Sequence, residues 1–329
     1  MVSAYLQLSQ EELERRALEA YEIYRECCVC PRSCGVDRTA GVLGFCKLND
    51  ELNVSSATLH FGEEPPFTGG SGGVGNIFVA SCNLACSYCQ NYQISQQEPR
   101  AGYSSRQVAE EMVKLQKQGA NFIGWVSPSH VVPGLLQSLC IAREMGLTLP
   151  IIYNTNAYDA LPTLKLLDGI VDIYLPDIKY ADDELARKHS KGIDYCLHSR
   201  ASVLEMYRQV GPLKVGPSGL AEGGVLVRHL VLPNELAGTW ETLCFIALEL
   251  STRVPVSLMS QYRPVHKALD VPELARKITA DEYQTALDMA NDLGIKTIFA
   301  QDLESEIHNL PDFDDILRPF PLQKATVKG

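Results

Sequence analysis

The stretch Asn76-Ile-Phe-Val-Ala-Ser-Cys82-Asn-Leu-Ala-Cys86-Ser-Tyr-Cys89-Gln-Asn-Tyr92 sets a short apolar run directly before three cysteines spaced C-x-x-x-C-x-x-C. The run reads as a strand, so the trio sits just beyond a strand end. Three thiolates at this spacing can hold three corners of a four-iron cubane, leaving the fourth iron an open coordination position. A lone C-x-x-C would suit zinc or a redox dithiol equally well. The competing reading of the trio is a zinc knuckle that borrows a distant fourth ligand.

C-terminal to the trio, apolar runs alternate with capped helical patterns. Strands are predicted at 121–126, 149–153, 171–175, 225–232 and 254–258, with a further one at 296–300. Helices are predicted near 132–145, 158–168, 182–190, 198–210 and 236–251. Ser104 with Gln107, and Thr279 with Glu282, read as capping boxes opening two more helices, which stop at Gly119 and Gly294. Such alternation demands a parallel sheet with helices outside it. Counting from Ile77 there are six main strands, with a seventh in the last run. The sheet either closes as a partial barrel or stays open and doubly wound. In both cases ligands belong at the C-terminal strand ends, where the trio lies.

N-terminal to the trio, residues 61–75 are rich in Gly and Pro and divide the chain. The expected organisation is a helix plus four-cysteine head over 1–70, a core barrel over 71–300 and a C-terminal tail over 301–329. Residues 10–26 carry Leu13, Ala17, Ala20, Tyr21 and Tyr24 at helical spacing. Cys27, Cys30, Cys34 and Cys46 follow as a candidate closed site for Zn²⁺ or for a second iron–sulfur cluster; spacing alone does not choose between these. Cys28 could replace Cys27, and a set of reduced thiols is the plain alternative. Cys140, Cys196 and Cys244 lie among apolar neighbours and read as core thiols.

Composition bounds the function. The formal charge of −11, with no long basic run, argues against a duplex nucleic-acid surface. No apolar run reaches the roughly 20 residues of a membrane span, and the first residues lack a signal peptide, so a cytoplasmic location is expected. Eight of the eleven cysteines fall between Cys27 and Cys89, which favours metal over disulfides.

At these residues the chain resembles the radical SAM superfamily, and within it the proteins similar to pyruvate formate-lyase activating enzyme. The resemblance runs from about Cys27 to the last helix. It implies an α/β fold, a partial (β/α)6 TIM-type barrel with a cysteine-rich head. It also implies a [4Fe–4S] cluster on Cys82, Cys86 and Cys89, with S-adenosyl-L-methionine chelating the open iron. One electron would cleave the sulfonium, and the resulting 5′-deoxyadenosyl radical would take a hydrogen from the substrate. The implied partners are a reductant such as flavodoxin or ferredoxin and a glycyl radical enzyme or other protein or peptide. Modification of a small molecule or a peptide is the enzymatic alternative, and a non-catalytic metal or redox scaffold the non-enzymatic one.

The resemblance also carries individual residues. Tyr88 occupies the aromatic place before the last cysteine, near the adenine or packed beneath the loop. Asn154-Thr-Asn156-Ala157 resembles an Asp-Thr-Asn-Gly cofactor stretch, with Asn156 the expected contact. Asp177-Ile-Lys179 matches an Asp-x-Lys element that either steadies a carboxylate or stitches the barrel mouth. Of Arg228 and His229 only one can face the cofactor, because side chains alternate along a strand; Arg228 is the expected one. Gln261 and Arg263 are expected at the substrate end. Where activating enzymes show Gly-Gly-Glu this chain reads Ser127-Pro-Ser-His130, so Ser127, Ser129 or backbone carbonyls are expected to meet the cofactor amine. His130 is either a proton donor or a satisfied core histidine.

Overall fold

The computed structural model describes residues 2–69, 72–97, 102–303, 311–313 and 319–320, so most of the expected 301–329 tail lies outside the described residues. Among the described residues ten strands are present: β1 (Val54–His60), β2 (Val74–Val79), β3 (Phe122–Val126), β4 (Ile151–Thr155), β5 (Ile173–Pro176), β6 (Lys214–Val215), β7 (Ala221–Val225), β8 (Val227–Leu230), β9 (Val256–Met259) and β10 (Ile298–Ala300). The helices are α1 (Gln10–Glu22), α2 (Pro65–Thr68), α3 (Tyr92–Ser95), α4 (Ser105–Lys117), α5 (Val132–Glu144), α6 (Leu161–Leu166), α7 (Asp183–Ser190), α8 (Tyr195–Val210), α9 (Thr239–Phe245) and α10 (Ala280–Asp292). Both capping boxes are formed, at Ser104–Gln107 and Thr279–Glu282. No helix among the described residues is long and apolar enough to cross a membrane.

Strands β2, β3, β4 and β5 pair in parallel in chain order, and so do β8, β9 and β10. A parallel bridge between Asp177 and Arg228 joins the two sets, and the seven strands form a partial barrel. The predicted 225–232 run is divided at Leu226, with β7 pairing to β5 and β8 pairing to β9. The seam has a local cause at Pro176. Asp177 N–H donates to Thr155 on the β4 side, and Ile178 N–H donates to Arg228 on the β8 side. Alternation therefore turns position 176 toward β8, and proline has no N–H to give.

Alternation also separates the barrel's two faces. Ile77, Val79, Ile123, Trp125, Ile151, Tyr153, Val225, Val227, Val256 and Leu258 belong to the main core beneath the helices. On the inner face, Val74, Phe122, Ile152, Ile173 and Leu226 form an apolar floor with Phe67 of α2. Higher on the same face stand Asn76, Asn154 and Arg228, so the barrel turns polar toward its C-terminal mouth.

The head is woven into this body. Strand β1, absent from the sequence prediction, pairs antiparallel with β2 and covers the first barrel edge. Leu13, Ala17 and Ala20 of α1 enter the same core cluster as Leu135 and Leu139 of α5. Tyr5 anchors the start of the chain by donating its hydroxyl to the Leu147 carbonyl at 2.9 Å.

Candidate active site

The cysteine loop leaves β2 through Ser81, whose φ of 69° lies in the left-handed region, and turns across the strand ends. It is pinned by backbone bonds to the end of α7: Ala85 N–H donates to Ser190 and Ser87 N–H to His189. Cys82, Cys86 and Cys89 all line one cavity of about 1050 Å³ at the barrel mouth. Among the described residues no three Cys, His, Asp or Glu side chains converge as they would around one metal ion. Ligands to three separate irons need not converge in that way.

The surroundings suit anionic sulfur. The Leu84 N–H and the Asn156 amide donate to Cys82 Sγ at 3.4 and 3.3 Å, and Ser95 Oγ lies 3.2 Å from Cys89 Sγ. Burial, then the neighbouring thiols, pushes Cys82 up to about 12 and Cys89 up to about 11. Thiols raised in this way, as Cys82 and Cys89 are, ionise only beside a strong positive charge, which a metal centre supplies. The donor set and the N–H···S bonds therefore fit a cluster held at three corners.

Of the other residues singled out from sequence, Tyr88, Ser127, Asn154, Asn156, Asp177, Lys179, Arg228 and Gln261 line the same cavity. Asn156 is tied to the loop, since its amide also donates to Asn83 Oδ1 at 2.8 Å while its own Oδ1 accepts from Tyr158 N–H. Lys179 Nζ donates to Asp177 Oδ2 at 2.9 Å. Burial alone would depress this ammonium, but Asp177 and then Cys86 reverse the effect and raise it. Asp177 Oδ1 is buried without a hydrogen-bond partner among the described residues. A carboxylate oxygen so placed suits a ligand donor such as an amine or a ribose hydroxyl. Tyr88 packs edge-on against Tyr262 and Tyr180, with ring centroids 5.8 and 6.4 Å away.

Arg228 faces the cavity. His229 faces away, held by Ile178 O and Thr239 Oγ1 at 2.8 and 3.0 Å. Three other residues are not brought to the cavity. His130 is buried with Nε2 3.0 Å from Ala80 O, Ser129 bonds Thr155, and Arg263 is exposed. Sequence reasoning missed Glu63 and Glu64, which hold Arg228 in a buried triad. Burial would raise the Glu63 carboxyl, but Arg228, then His60 and Asn76, hold it down to about 2. The acidic pair after β1 was visible in sequence; its partner, more than 160 positions away, was not.

Comparison with known proteins adds the lineage. The sequence model of the radical SAM superfamily matches residues 76–246. An uncharacterized protein of Methanocaldococcus jannaschii is 30% identical over 295 residues, 85% of this chain and 78% of its own. A second from that organism is 25% identical over 282 residues, 78% of each chain. Among solved structures, Streptococcus suis SuiB bound to S-adenosylmethionine aligns at a TM-score of 0.48 and 10% identity, over 69% of this chain and 50% of its own. This chain thus spans about half the length of SuiB. Methylornithine synthase aligns at 0.45 and 15% identity, over 90% of this chain and 72% of its own. Neither structural likeness bears on the substrate.

Proposed function

This chain belongs to the radical SAM superfamily, and we propose that it abstracts a hydrogen atom from a substrate bound at the barrel mouth, using Cys82, Cys86 and Cys89 as the cluster ligands. When bound, the [4Fe–4S] cluster and S-adenosylmethionine supply one-electron cleavage of the sulfonium, driven by an external reductant for which flavodoxin or ferredoxin is the expected class. The observation that carries the reading is the single cavity shared by the three thiols, Asn154, Asn156, Asp177 and Arg228.

The chain's own residues orient and shield. Asn156, Ser95 and the Leu84 N–H direct hydrogen bonds at the ligating sulfurs, which stabilises their anionic form. Asp177, steadied by Lys179, keeps one oxygen for a ligand donor. Phe78, packed against Phe313 at 5.3 Å between centroids, makes one wall apolar and limits water.

Within this chemistry, the likeness of Asn154-Thr-Asn156 and Asp177-x-Lys179 to pyruvate formate-lyase activating enzymes supports a glycine of a partner protein as hydrogen donor. A second reading, modification of a small molecule or a peptide, is favoured by Glu63 and Glu64. Two carboxylates against one guanidinium leave excess negative charge on the wall, which suits a cationic group on a compact substrate. The absence of a glutamate at Ser127-Pro-Ser-His130 also separates this pocket from that of the activating enzymes.

The decisive assay is anaerobic. After reconstitution and reduction, the protein with S-adenosylmethionine should form 5′-deoxyadenosine, and Cys86→Ala should abolish it. No 5′-deoxyadenosine from the wild type would leave only a metal or redox scaffold, and an equal yield from Cys86→Ala would remove Cys86 from the cluster. Deuterium transfer into 5′-deoxyadenosine from labelled glycyl partners or labelled small molecules separates the two substrate readings.

A further inference from the structure

The four head cysteines do not line the barrel-mouth cavity, yet they are assembled with care. Cys27, Cys30 and Cys46 are buried and Cys34 is half-buried, among the end of α1, a 3-10 turn at Arg38–Ala40 and two tight turns. The turns are matched: Ser33 N–H donates to Cys30 O, and Lys47 N–H to Gly44 O. Ser33 and Lys47 both have positive φ, at 41° and 58°. Sulfurs accept backbone N–H groups here as at Cys82: Arg32 N–H toward Cys30, Phe45 N–H to Cys34 at 3.3 Å and Leu48 N–H toward Cys46. Gly44 leaves the space between them open, since a Cβ there would stand 3.4 Å from Cys34 Sγ and 3.9 Å from Cys46 Sγ.

Charge supplies a second, independent observation. Arg38 is fully buried and stacked 4.0 Å from the Tyr24 ring centroid, and among the described residues it bonds only backbone carbonyls and Cys27 Sγ. Arg32 lies 3.7 Å over Phe45 and has a buried Nη2 with no hydrogen-bond partner among the described residues. Neither guanidinium forms an ion pair with a carboxylate among the described residues. Arg38 is a buried cation and Arg32 is half-buried with one nitrogen out of reach of water, so both call for a counter-charge that neutral thiols do not offer. Four thiolates around Zn²⁺, or around a closed [4Fe–4S]²⁺ cubane, carry two net negative charges and would balance both. The sulfurs are spread more widely than the ligands of one ion, so zinc would draw them inward while a cubane would sit between them.

We propose that Cys27, Cys30, Cys34 and Cys46 hold a second, dianionic metal centre, and that this centre fixes Arg32 as a positioning residue for the catalytic loop. The link is direct. Arg32 sits between two of the ligands, and its Nε donates at 2.7 Å to the carbonyl of Asn83, the residue after Cys82. Asn83 in turn bonds Asn156 and the Tyr158 carbonyl, which sets the Cys82 corner. The metal content of the head is independent of the radical SAM reading; the coupling to the loop rests on it.

The test has two parts. First, the protein with Cys82, Cys86 and Cys89 all changed to Ala is purified anaerobically and offered iron with sulfide, or zinc. It should retain about one zinc without sulfide, or about four irons with sulfide, and lose this metal on adding Cys30→Ser and Cys46→Ser. A folded triple variant, checked by circular dichroism, that binds neither overturns the centre. Second, Arg32→Ala in the otherwise native protein should leave head metal unchanged while shifting the midpoint potential and electron paramagnetic resonance signal of the catalytic cluster, with Arg32→Lys recovering part of the shift. An unchanged potential and signal in Arg32→Ala overturns the coupling even if head metal is found.

Discussion

Arg228 stands in a place where a lone cation would be expelled. Its guanidinium meets Glu64 through Nε at 2.8 Å and both Glu63 and Glu64 through Nη2, with all three side chains about 10% exposed. Removing one member of such a group costs more than the pair contributes, because it strands buried charge. Arg228→Met should therefore destabilise the fold by about 3 kcal/mol, read as a lower urea midpoint. It should also bring the Glu63 carboxyl back up from about 2, observable by carbon-detected NMR titration. An unchanged midpoint would mean that the carboxylates had found other partners. That only one of Arg228 and His229 faces inward was legible because strand alternation is a local rule; that it is Arg228 came from the family resemblance. The fate of His130 was not, because its carbonyl accepts from Arg38 and its ring meets Ala80, contacts made only by the tertiary fold.

At the scale of elements, the β2–β3 pair shows how register builds the site. Asn76 on β2 faces Gly124 on β3, and a Cβ at Gly124 would overlap the Asn76 amide. That amide donates to Glu63 Oε1 at 2.8 Å, so the glycine indirectly holds the acidic wall. Gly124→Ala should displace Asn76, free Glu63 and cost about 1–3 kcal/mol by overpacking; a crystal structure with Asn76 unmoved would contradict this. Helices α4 and α10 could be read from their caps because capping is written in adjacent residues. Strand β1 could not, since Val54-Ser-Ser-Ala-Thr-Leu-His60 shows no apolar alternation. Its ladder is specified by β2 across a stretch of irregular chain. The 225–232 run read as one strand because nothing in it marks the break; the missing N–H belongs to Pro176 on another strand.

For the whole molecule, the parallel sheet and the placing of the site at its C-terminal strand ends followed from strand–helix alternation, closure into a partial barrel was implied by the family resemblance alone, and the integration of the head depended on packing between α1 and α5 that no local pattern encodes. The same deep burial gives the molecule its acid response. Burial lowers both His130 and His229 to about 4, so the unfolded chain takes up their protons first as pH falls below the ordinary 6.5. Stability should drop between pH 6.5 and 4 on their account. Asp172, raised by burial to about 6, acts in the opposite sense between 3.8 and 6 and offsets part of the loss. Urea midpoints across this range should slope less steeply in His229→Gln; equal slopes would remove that histidine from the explanation. A final consequence belongs to the seam at Pro176. A barrel wall with one rung missing is most compliant there, and the rung next to the gap, Ile178 N–H to Arg228 O at 2.9 Å, carries Asp177 and Arg228 on its two rails. Two half-barrels that breathe about this line would open and shut the distance between those side chains, so a ligand spanning them would act as a clasp. Hydrogen–deuterium exchange at the Ile178 amide should be faster than at Tyr153 in the free protein and slow when S-adenosylmethionine binds, a mechanical signature visible without any turnover.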